Sequence, residues 1–245
     1  LTLNRLRAAL TEAVRRQLVI RNVAQYTKIP RAARTAAAKA KAARQPWEAH
    51  EVRTFLVAIK HERLFAPMLL SLLGMRPAEV CGLRWSDVDL DAEELRIENT
   101  RTLVDGEVIE KDTKSEKGTR DLPLPAPVTA ALKSFKAKQA GEKLALGEGY
   151  ADTGYVLVDE LGQPVRTDWL RRRAYELMEA AGVRRVRLYD ARHACLTFLA
   201  TNGVPDVIVS AWAGHADLSF TKRTYVHPSA SDLVAARDAL ARLLG

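Results

Sequence analysis

The stretch LLGMRPAEVCGLRWSDVDL, residues 72–90, sets the architecture of this chain. The apolar run FAPMLLSLLG ends at Gly74, and Pro77 then predicts a new helix, because proline is favoured in the first turn of a helix. Arg76 lies at the junction, with Glu79 three residues further on. Burying an unpaired arginine is costly. The sequence therefore predicts either a structural Arg76–Glu79 ion pair at helix spacing or an arginine held at a functional site.

Helical patterns dominate on both sides of this stretch. Apolar residues repeat at three and four from Leu3 to Leu18, which predicts an amphipathic first helix. Asp105-Gly106 is typical of a hairpin turn between short strands. The chain is therefore predicted to be mainly α with one small antiparallel β-sheet, an α+β fold. The further helices are predicted over 48–60, 64–74, 77–83, 126–140, 167–181, 190–202, 204–213, 219–224 and 231–243, and the strands over 95–97, 101–104, 108–110 and 120–124.

The segment ARTAAAKAKAARQP, residues 33–46, divides the chain. It is rich in alanine and basic residues and has no apolar stripe, which favours a linker over a packed helix. Two domains are predicted: residues 1–45, a helical segment with its basic linker, and residues 46–245. The basic residues suit contact with a phosphate backbone, although a solvated charged linker explains them nearly as well. They are Arg31, Arg34, Lys39, Lys41 and Arg44.

The composition narrows the class of protein. The chain has 245 residues, 47% of them hydrophobic, and a net charge of +8. That charge points to a polyanionic partner, most often nucleic acid, or simply to a basic soluble enzyme. No run of about 18 apolar residues is present, so no membrane span is expected. Cys81 and Cys195 fit no metal-binding spacing and are predicted to be buried free thiols.

A calcium loop is also considered and set aside. The stretch DVDLDAEELRIE, residues 87–98, carries acidic residues at several calcium-loop positions. Ala92 stands where the loop requires glycine, and a strand-like sequence follows instead of a helix. We interpret the stretch as a turn and predict no metal site.

Two further segments carry polar groups of interest. DTKSEKGTRDLPLP, residues 112–125, places Lys114 near the start of a polar turn between strands; alone, it would be a solvated hairpin lysine. RLYDARHACLTFLA, residues 187–200, places Arg192 and His193 where a helix is predicted to open. A helix N-terminus suits an anion, and an arginine can grip a phosphate through two hydrogen bonds. The alternative is a pair of solvated side chains.

The stretch GHADLSFTKRTYVHP, residues 214–228, places Tyr225 ten positions after His215. Alone, such a tyrosine is more often a core or surface aromatic. Taken in order, the segments resemble the tyrosine recombinase (phage integrase) family over residues 47–228. The family motifs are G-x-R-x-x-E, W-x-D-[IV]-D, a hairpin lysine before R-x-[LIV]-P-L, an H-x-x-R-H box, and a G-H turn followed by tyrosine. They correspond here to Gly74–Glu79, Trp85–Asp89, Lys114, Arg120–Leu124, Tyr189–His193, Gly214–His215 and Tyr225.

The resemblance implies a site-specific recombinase (integrase) that cleaves and rejoins DNA through a 3′-phosphotyrosine and a Holliday junction. It implies no metal, cofactor or ATP. The implied partners are double-stranded DNA and three further copies in a homotetramer, with an accessory DNA-bending factor allowed, in the cytoplasm at a bacterial nucleoid. Residues 1–45 would end a core-binding domain. The implied catalytic residues are Tyr225 as nucleophile, Arg76, Arg192 and His215 as phosphate donors, Lys114 as the acid for the leaving group and Tyr189, with Glu79 and His193 in support.

One position departs from the family pattern. The box usually begins with histidine, and this chain has Tyr189. A phenol with a pKa of about 10 is a poor base at neutral pH but can donate a hydrogen bond. We therefore carry Tyr189 over as a phosphate or nucleophile contact. Lys114 is chosen over Lys111 and Lys117 by counting back from Arg120.

Three other functions compete with this interpretation. A type IB topoisomerase shares the tyrosine chemistry, but the helical segment and basic linker favour a recombinase. A non-catalytic DNA-binding regulator on the same fold is opposed by the full set of residues. A metal-dependent nuclease lacks its carboxylate cluster. The closing helix, predicted over 231–243, would suit either a neighbouring protomer or its own domain.

Overall fold

The computed structural model describes residues 2–33, 35–36, 45–104, 106–112 and 119–215, and at 111 and 112 the backbone alone. The chain divides into two compact units, Leu1–Gln45 and Pro46–Gly245. The predicted helices at 219–224 and 231–243, and the first residue of the predicted Asp105-Gly106 turn, lie outside the described residues. Each unit is described by itself.

The first unit contains helix α1, Thr2–Arg15, and a 3₁₀ turn at Val23–Tyr26. Arg7 ties the two together, because its Nε donates to the Ala24 carbonyl at 2.9 Å and its Nη2 to the Thr27 carbonyl at 2.8 Å. The helix stops short of the predicted Leu18, since Gln17 adopts a φ of 58°. Residues 31–33 and 35–36 are helical, so the first residues of the predicted linker continue a helix.

The second unit contains seven helices among the residues that the structure describes, close to the predicted positions. The fifth helix of the chain runs six residues further than predicted, to Leu146, because alanine, leucine and lysine continue to favour helix there. The helices are α2, Ala49–Ala58; α3, Phe65–Leu72; α4, Pro77–Gly82; α5, Ala126–Leu146; α6, Thr167–Ala180; α7, Leu188–Thr201; and α8, Asp206–Ala213.

The strands form two sheets, where the sequence predicted one. They are β1, Val88–Asp89; β2, Glu94–Ile97; β3, Asn99–Val104; β4, Glu107–Asp112; and β5, Arg120–Pro123. The first sheet has the antiparallel order β1-β2-β5, and β3 pairs with β4 as a separate antiparallel hairpin. Both edges of β2 are therefore occupied, and β3 has no place beside it. The predicted turn in residues 87–98 is the connection of the β1–β2 hairpin.

The β3–β4 hairpin packs instead on helix α4. A Cβ at Gly82 would lie 2.9 Å from both the Asn99 carbonyl oxygen and the Arg101 amide nitrogen. Only glycine permits this approach of helix to strand. The contact brings the hairpin, which leads toward residue 114, close to the helix that follows Arg76.

A continuous apolar core supports the site. Helix α3 is buried from Ala66 to Ser71 and packs against α5 and α7. A smaller cluster, made of Leu196, Val209 and Ala213, joins α7 to α8. Of the predicted buried thiols, Cys81 is buried and Cys195 is only partly so.

Two predicted absences concern metals and membranes. In the described ranges, no three histidine, cysteine or acidic side chains group in a way that could hold a metal ion. None of the helices in these ranges is long and apolar enough to cross a membrane.

Candidate active site

Arg76 and Glu79 form the predicted ion pair at the start of helix α4. The Glu79 carboxylate accepts from Arg76 Nη1 at 2.5 Å and from the Arg76 backbone amide at 2.8 Å. Glu79 caps the helix in this way and is almost fully buried. The Arg76 side chain, in contrast, remains 33% exposed. The structural pair therefore exists, and it leaves part of the Arg76 guanidinium open to a ligand.

Arg120 also belongs to this cluster, although from the sequence it served only as the reference position for choosing Lys114. Its Nη1 and Nη2 donate to the Glu79 carboxylate at 3.1 and 2.9 Å, and its Nε donates to the Trp212 carbonyl at 2.9 Å. Burial alone would raise the pKa of Glu79, but the hydrogen bonds and charge of Arg120, with the charge of Arg76, hold it below its usual value. Glu79 is thus a buried carboxylate shared by two arginines.

A signal for Arg120 was present in the sequence. Side chains alternate across a strand, so Arg120 faces the same side as Leu122 and Leu124. Both leucines are buried, at 1% and 5% exposure. An arginine on the apolar face of a strand requires a buried partner, and this requirement could have marked Arg120 as part of a polar cluster.

Arg192 lies deep in the structure, which excludes the alternative of a solvated side chain. Its Nη1 donates to the Gly74 carbonyl at 2.7 Å, and its Nη2 donates to the Ala213 carbonyl and lies 3.3 Å from His215 Nε2. The residue is fully buried, and its Nε has no hydrogen-bond partner among the described residues. Burial, followed by the charge of Arg76, lowers the pKa of Arg192 to about 10, so it remains a cation at neutral pH.

The predicted place of Arg192 at the opening of a helix is wrong. Helix α7 begins at Leu188, and Arg192 lies in its second turn. The helix N-terminus is occupied by the chain itself, because Asp190 accepts from the Arg187 amide at 3.1 Å and from the Arg187 guanidinium at 2.7 Å. This carboxylate takes the position that an anionic ligand would need.

His215 is held by the turn that ends helix α8. Gly214 adopts the left-handed conformation with φ 59° and ψ 46°, which favours glycine, and the His215 amide donates to the Ser210 carbonyl at 3.1 Å. Burial, followed by the charges of Arg192 and Arg76, lowers the pKa of His215 to about 4. The ring is therefore neutral at pH 7. A guanidinium only donates, so Nε2 accepts from Arg192 and Nδ1 carries the proton.

Tyr189 and His193 lie one turn apart on α7. Their rings meet edge to face, with centroids 5.1 Å apart. Tyr189 is 40% exposed, and Arg192 follows three residues later on the same helix, so the two lie on one face of α7. The place of Tyr189 in the first turn of the helix suits a contact residue.

The structure describes only one of the remaining predicted site residues. Arg31 is described and exposed. Tyr225, Lys114, Arg34, Lys39, Lys41 and Arg44 lie outside the described residues. The structure thus brings Arg76, Arg192 and His215 together through Glu79 and three backbone carbonyls, and the Gly74 carbonyl lies 118 residues before Arg192 in the chain. Such a group of cations and donors can bind and stabilise an oxyanion.

The chain matches a known family over most of its length. The sequence model of the Phage integrase family matches residues 45–232. This chain therefore belongs to the phage integrase family. It is 32% identical over 190 residues to "Tyrosine recombinase XerC-like" of Caldanaerobacter subterraneus subsp. tengcongensis, covering 72% of this chain and 49% of that protein. It is 28% identical over 237 residues to "Integrase" of Streptomyces ambofaciens, covering 90% of this chain and 57% of that protein. The chain thus spans about half the length of these relatives.

Solved structures share the fold. The Tn1549 transposon integrase in complex with transposon right end DNA superposes with a TM-score of 0.75 and 18% identity, covering 98% of this chain and 78% of that one. XerA recombinase superposes with a TM-score of 0.57 and 23% identity, covering 79% of this chain and 62% of that one. These likenesses agree with the α+β architecture predicted from the sequence.

Proposed function

We propose that this chain is the catalytic part of a site-specific DNA recombinase that cleaves and rejoins strands through a tyrosine. The observation that carries the proposal is the convergence of the part-exposed Arg76, the buried Arg192 and His215 in one cluster. Membership of the phage integrase family supports it. The relatives are named integrases and tyrosine recombinases, which does not favour the topoisomerase or the non-catalytic regulator.

The first task of this site is to neutralise the scissile phosphate. A phosphodiester is anionic and repels a nucleophile. Arg76 presents its exposed edge to one non-bridging oxygen. Arg192 is the second cation, and its buried Nε–H has no hydrogen-bond partner among the described residues. The transition state carries more charge on these oxygens than the ground state, so fixed donors stabilise it preferentially. His215 is neutral and contributes a single N–H.

The second task is the transfer itself. The Tyr225 oxygen attacks phosphorus, forms the phosphotyrosyl bond and breaks the bond to the 5′ oxygen. Tyr225 loses its proton to water as it attacks, and Lys114 gives a proton to the leaving 5′ oxygen. Lys114 then regains a proton from water, so the protons balance over the step. The covalent bond preserves the energy of the broken strand, and another 5′-hydroxyl can reverse the step. Tyr189 donates a hydrogen bond to the phosphate or to the nucleophile.

The proposal extends to the partners and the two units. Residues 1–45 end a core-binding domain whose basic residues, with Arg31, follow the backbone of double-stranded DNA. Residues 46–245 form the catalytic domain. The active assembly is a homotetramer on synapsed DNA, with room for an accessory DNA-bending factor, at a bacterial nucleoid. The net charge of +8 supports a DNA partner.

A covalent trapping experiment tests the proposal without a known target. The protein is incubated in EDTA with a pool of nicked duplexes of randomised sequence, and adducts are recovered from a denaturing gel and sequenced. We expect adducts that share a sequence and that are lost in Tyr225→Phe. Tyr26→Phe is the matched control, because Tyr26 is 77% exposed in the first unit. Tight DNA binding without any adduct would refute the enzyme and favour the regulator.

A further inference from the structure

Arg120 connects three separate parts of the candidate site. It begins strand β5, its two Nη atoms donate to Glu79 in helix α4, and its Nε donates to the Trp212 carbonyl at the end of helix α8. The side chain is only 7% exposed, and that of Glu79 is 1% exposed. Arg120 is therefore shielded from solvent by the elements it joins.

Stability alone does not account for the Arg120–Glu79 pair, because removing two charges from water costs about as much as their attraction returns. A well-packed apolar pair of similar size is often as stable. What the ion pair does provide is geometry, since a guanidinium and a carboxylate meet in a fixed plane through two hydrogen bonds. The consequence of this geometry falls on the residues that Arg120 touches.

One consequence concerns Arg76. Glu79 Oε1 accepts from Arg76 Nη1 at 2.5 Å and from Arg120 Nη1 at 3.1 Å. Arg120 supplies a second cation to this carboxylate and fixes its plane. Without it, Glu79 would face Arg76 alone, and its charge would pull the Arg76 guanidinium away from a bound phosphate.

The other consequence concerns His215. Arg120 Nε holds the Trp212 carbonyl at 2.9 Å, and Arg192 holds the next carbonyl, that of Ala213. The Trp212 indole in turn donates to the Leu73 carbonyl at 2.8 Å. The last turn of α8 is thus fixed immediately before Gly214 and His215.

We propose that Arg120 is a positioning residue for strand cleavage, which sets Arg76 through the shared carboxylate of Glu79 and sets His215 through the Trp212 carbonyl in the last turn of helix α8. This inference rests on the proposed function. In this scheme Arg120 acts through Glu79 and the Trp212 carbonyl. The effect of replacing Arg120 on the cleavage rate therefore depends on how strongly the reaction requires Arg76.

Arg63 provides a matched control. Its side chain is 12% exposed, and its Nε and Nη2 donate to the Glu142 carboxylate at 2.8 Å each. Its Nη1 donates to the Val158 carbonyl at 2.7 Å. The chemistry equals that of Arg120, but Arg63 contacts no segment of the candidate site. A lysine at either position keeps the charge and loses the fork.

The experiment compares single-turnover cleavage by Arg120→Lys and Arg63→Lys at saturating DNA on two substrates. One carries the natural phosphodiester, and the other carries a methylphosphonate, whose scissile group is uncharged and needs less neutralisation. We expect Arg120→Lys to lose about 10²-fold on the phosphodiester, as for a small misplacement of a catalytic group, and less than about 3-fold on the methylphosphonate. Arg63→Lys should differ little from wild type on both.

The outcomes separate this inference from the proposed function. No cleavage by the wild-type chain would refute the function itself. Wild-type cleavage with equal losses for Arg120→Lys on both substrates, or with no loss, would overturn the positioning role alone. If Arg120→Lys does not fold, the double variant Glu79→Gln/Arg120→Gln removes both charges together and avoids an orphaned one. This double variant should also lose much more activity on the phosphodiester than on the methylphosphonate. Equal losses on both substrates would overturn the inference.

Discussion

Arg192 combines burial with a retained charge. Its direct partners are the carbonyls of Gly74 and Ala213, which orient the guanidinium without neutralising it. A site built to receive an anion needs such a cation, held in place before the substrate arrives.

This geometry predicts a specific effect of a conservative substitution. Arg192→Lys should lower the rate of strand cleavage by about 10²–10³-fold, because lysine cannot hold both carbonyls and also reach the phosphate. Arg187→Lys is the control, since Arg187 is half-exposed and pairs with Asp190 on the same helix. Single-turnover cleavage of a trapped site would measure both. Equal rates for the two variants would contradict the assignment.

His215 predicts a dependence of stability on pH. Its pKa in the folded chain is about 4, below the ordinary value of 6.5. Between these values the unfolded chain binds more protons, so the free energy of unfolding should fall as the pH is lowered from 6.5 toward 4. The pKa of Glu79 lies below its usual 4.5, so Glu79 adds its own loss only below that pH.

The window from pH 4.5 to 6.5 therefore reports on His215. Urea unfolding of the wild type and of His215→Asn should show a flatter pH dependence in the variant across this window. His50→Asn is a suitable control, because His50 is exposed on α2. An unchanged slope in His215→Asn would show that the ring is not held neutral by its surroundings.

At the scale of elements, a cluster of polar side chains links the β3–β4 hairpin to the rest of the second unit, in addition to its packing on α4. The Tyr155 hydroxyl donates to Glu110 on β4 at 2.5 Å and accepts from Arg84 at 3.0 Å. Arg101 on β3 donates to the Val165 carbonyl at 2.9 Å. Burial, followed by Glu110, raises the pKa of Tyr155, so the phenol stays protonated and remains a donor.

Loss of this anchor should affect the step assigned to Lys114, because the hairpin leads into the segment that carries it. We expect Glu110→Gln to slow cleavage of an ordinary strand by about 10-fold, while Glu107→Gln, on the same strand, should not. A substrate with a 5′-bridging sulfur should abolish the difference in rate between the two variants. Its leaving group is a thiolate, whose conjugate thiol has a pKa of about 8.5, so it departs without a proton from an acid. If Glu110→Gln still slows cleavage of the sulfur substrate, the anchor does not act through Lys114.

The elements that the sequence predicted best are those with local signals. Proline at position 77 and the apolar run before it locate two helices and the Arg76–Glu79 pair, because three residues of spacing determine their contact. The start of α7 was misplaced, since its cap is a side-chain pair, Arg187 with Asp190, within a polar stretch. The separation of the strands into two sheets depends on Gly82 and on which edges are occupied. Neither is a local property.

The same contrast between local signals and tertiary packing applies to the candidate site. The family motifs predicted which residue types would be present, but not that Arg192 would be fully buried or that Arg120 would share Glu79 with Arg76. Those facts arise from tertiary packing of β5 and α8 against the junction of α3 and α4. Periodicity within one segment contains no information on such contacts.

At the scale of the whole molecule, the positive charge predicts salt-dependent binding to DNA. Each phosphate neutralised by a lysine or arginine contributes about 0.9 to the slope of log affinity against log salt. The triple variant Lys39→Gln/Lys41→Gln/Arg44→Gln should therefore reduce the slope by about 2–3, as measured by fluorescence anisotropy. Lys60→Gln/Lys138→Gln, on exposed residues of the second unit, is the control. An equal slope in the triple variant would indicate a solvated linker.

The proposed function requires that Tyr225 forms the covalent bond to DNA. The most direct measurement is to digest the trapped adduct with nuclease and trypsin and to locate the nucleotide by mass spectrometry. Trypsin releases Tyr225 in the peptide of residues 224–237 and Tyr189 in that of residues 188–192. We expect a nucleotide attached through its phosphate to Tyr225 in the first peptide. A nucleotide on Tyr189, or on any other residue, would contradict it.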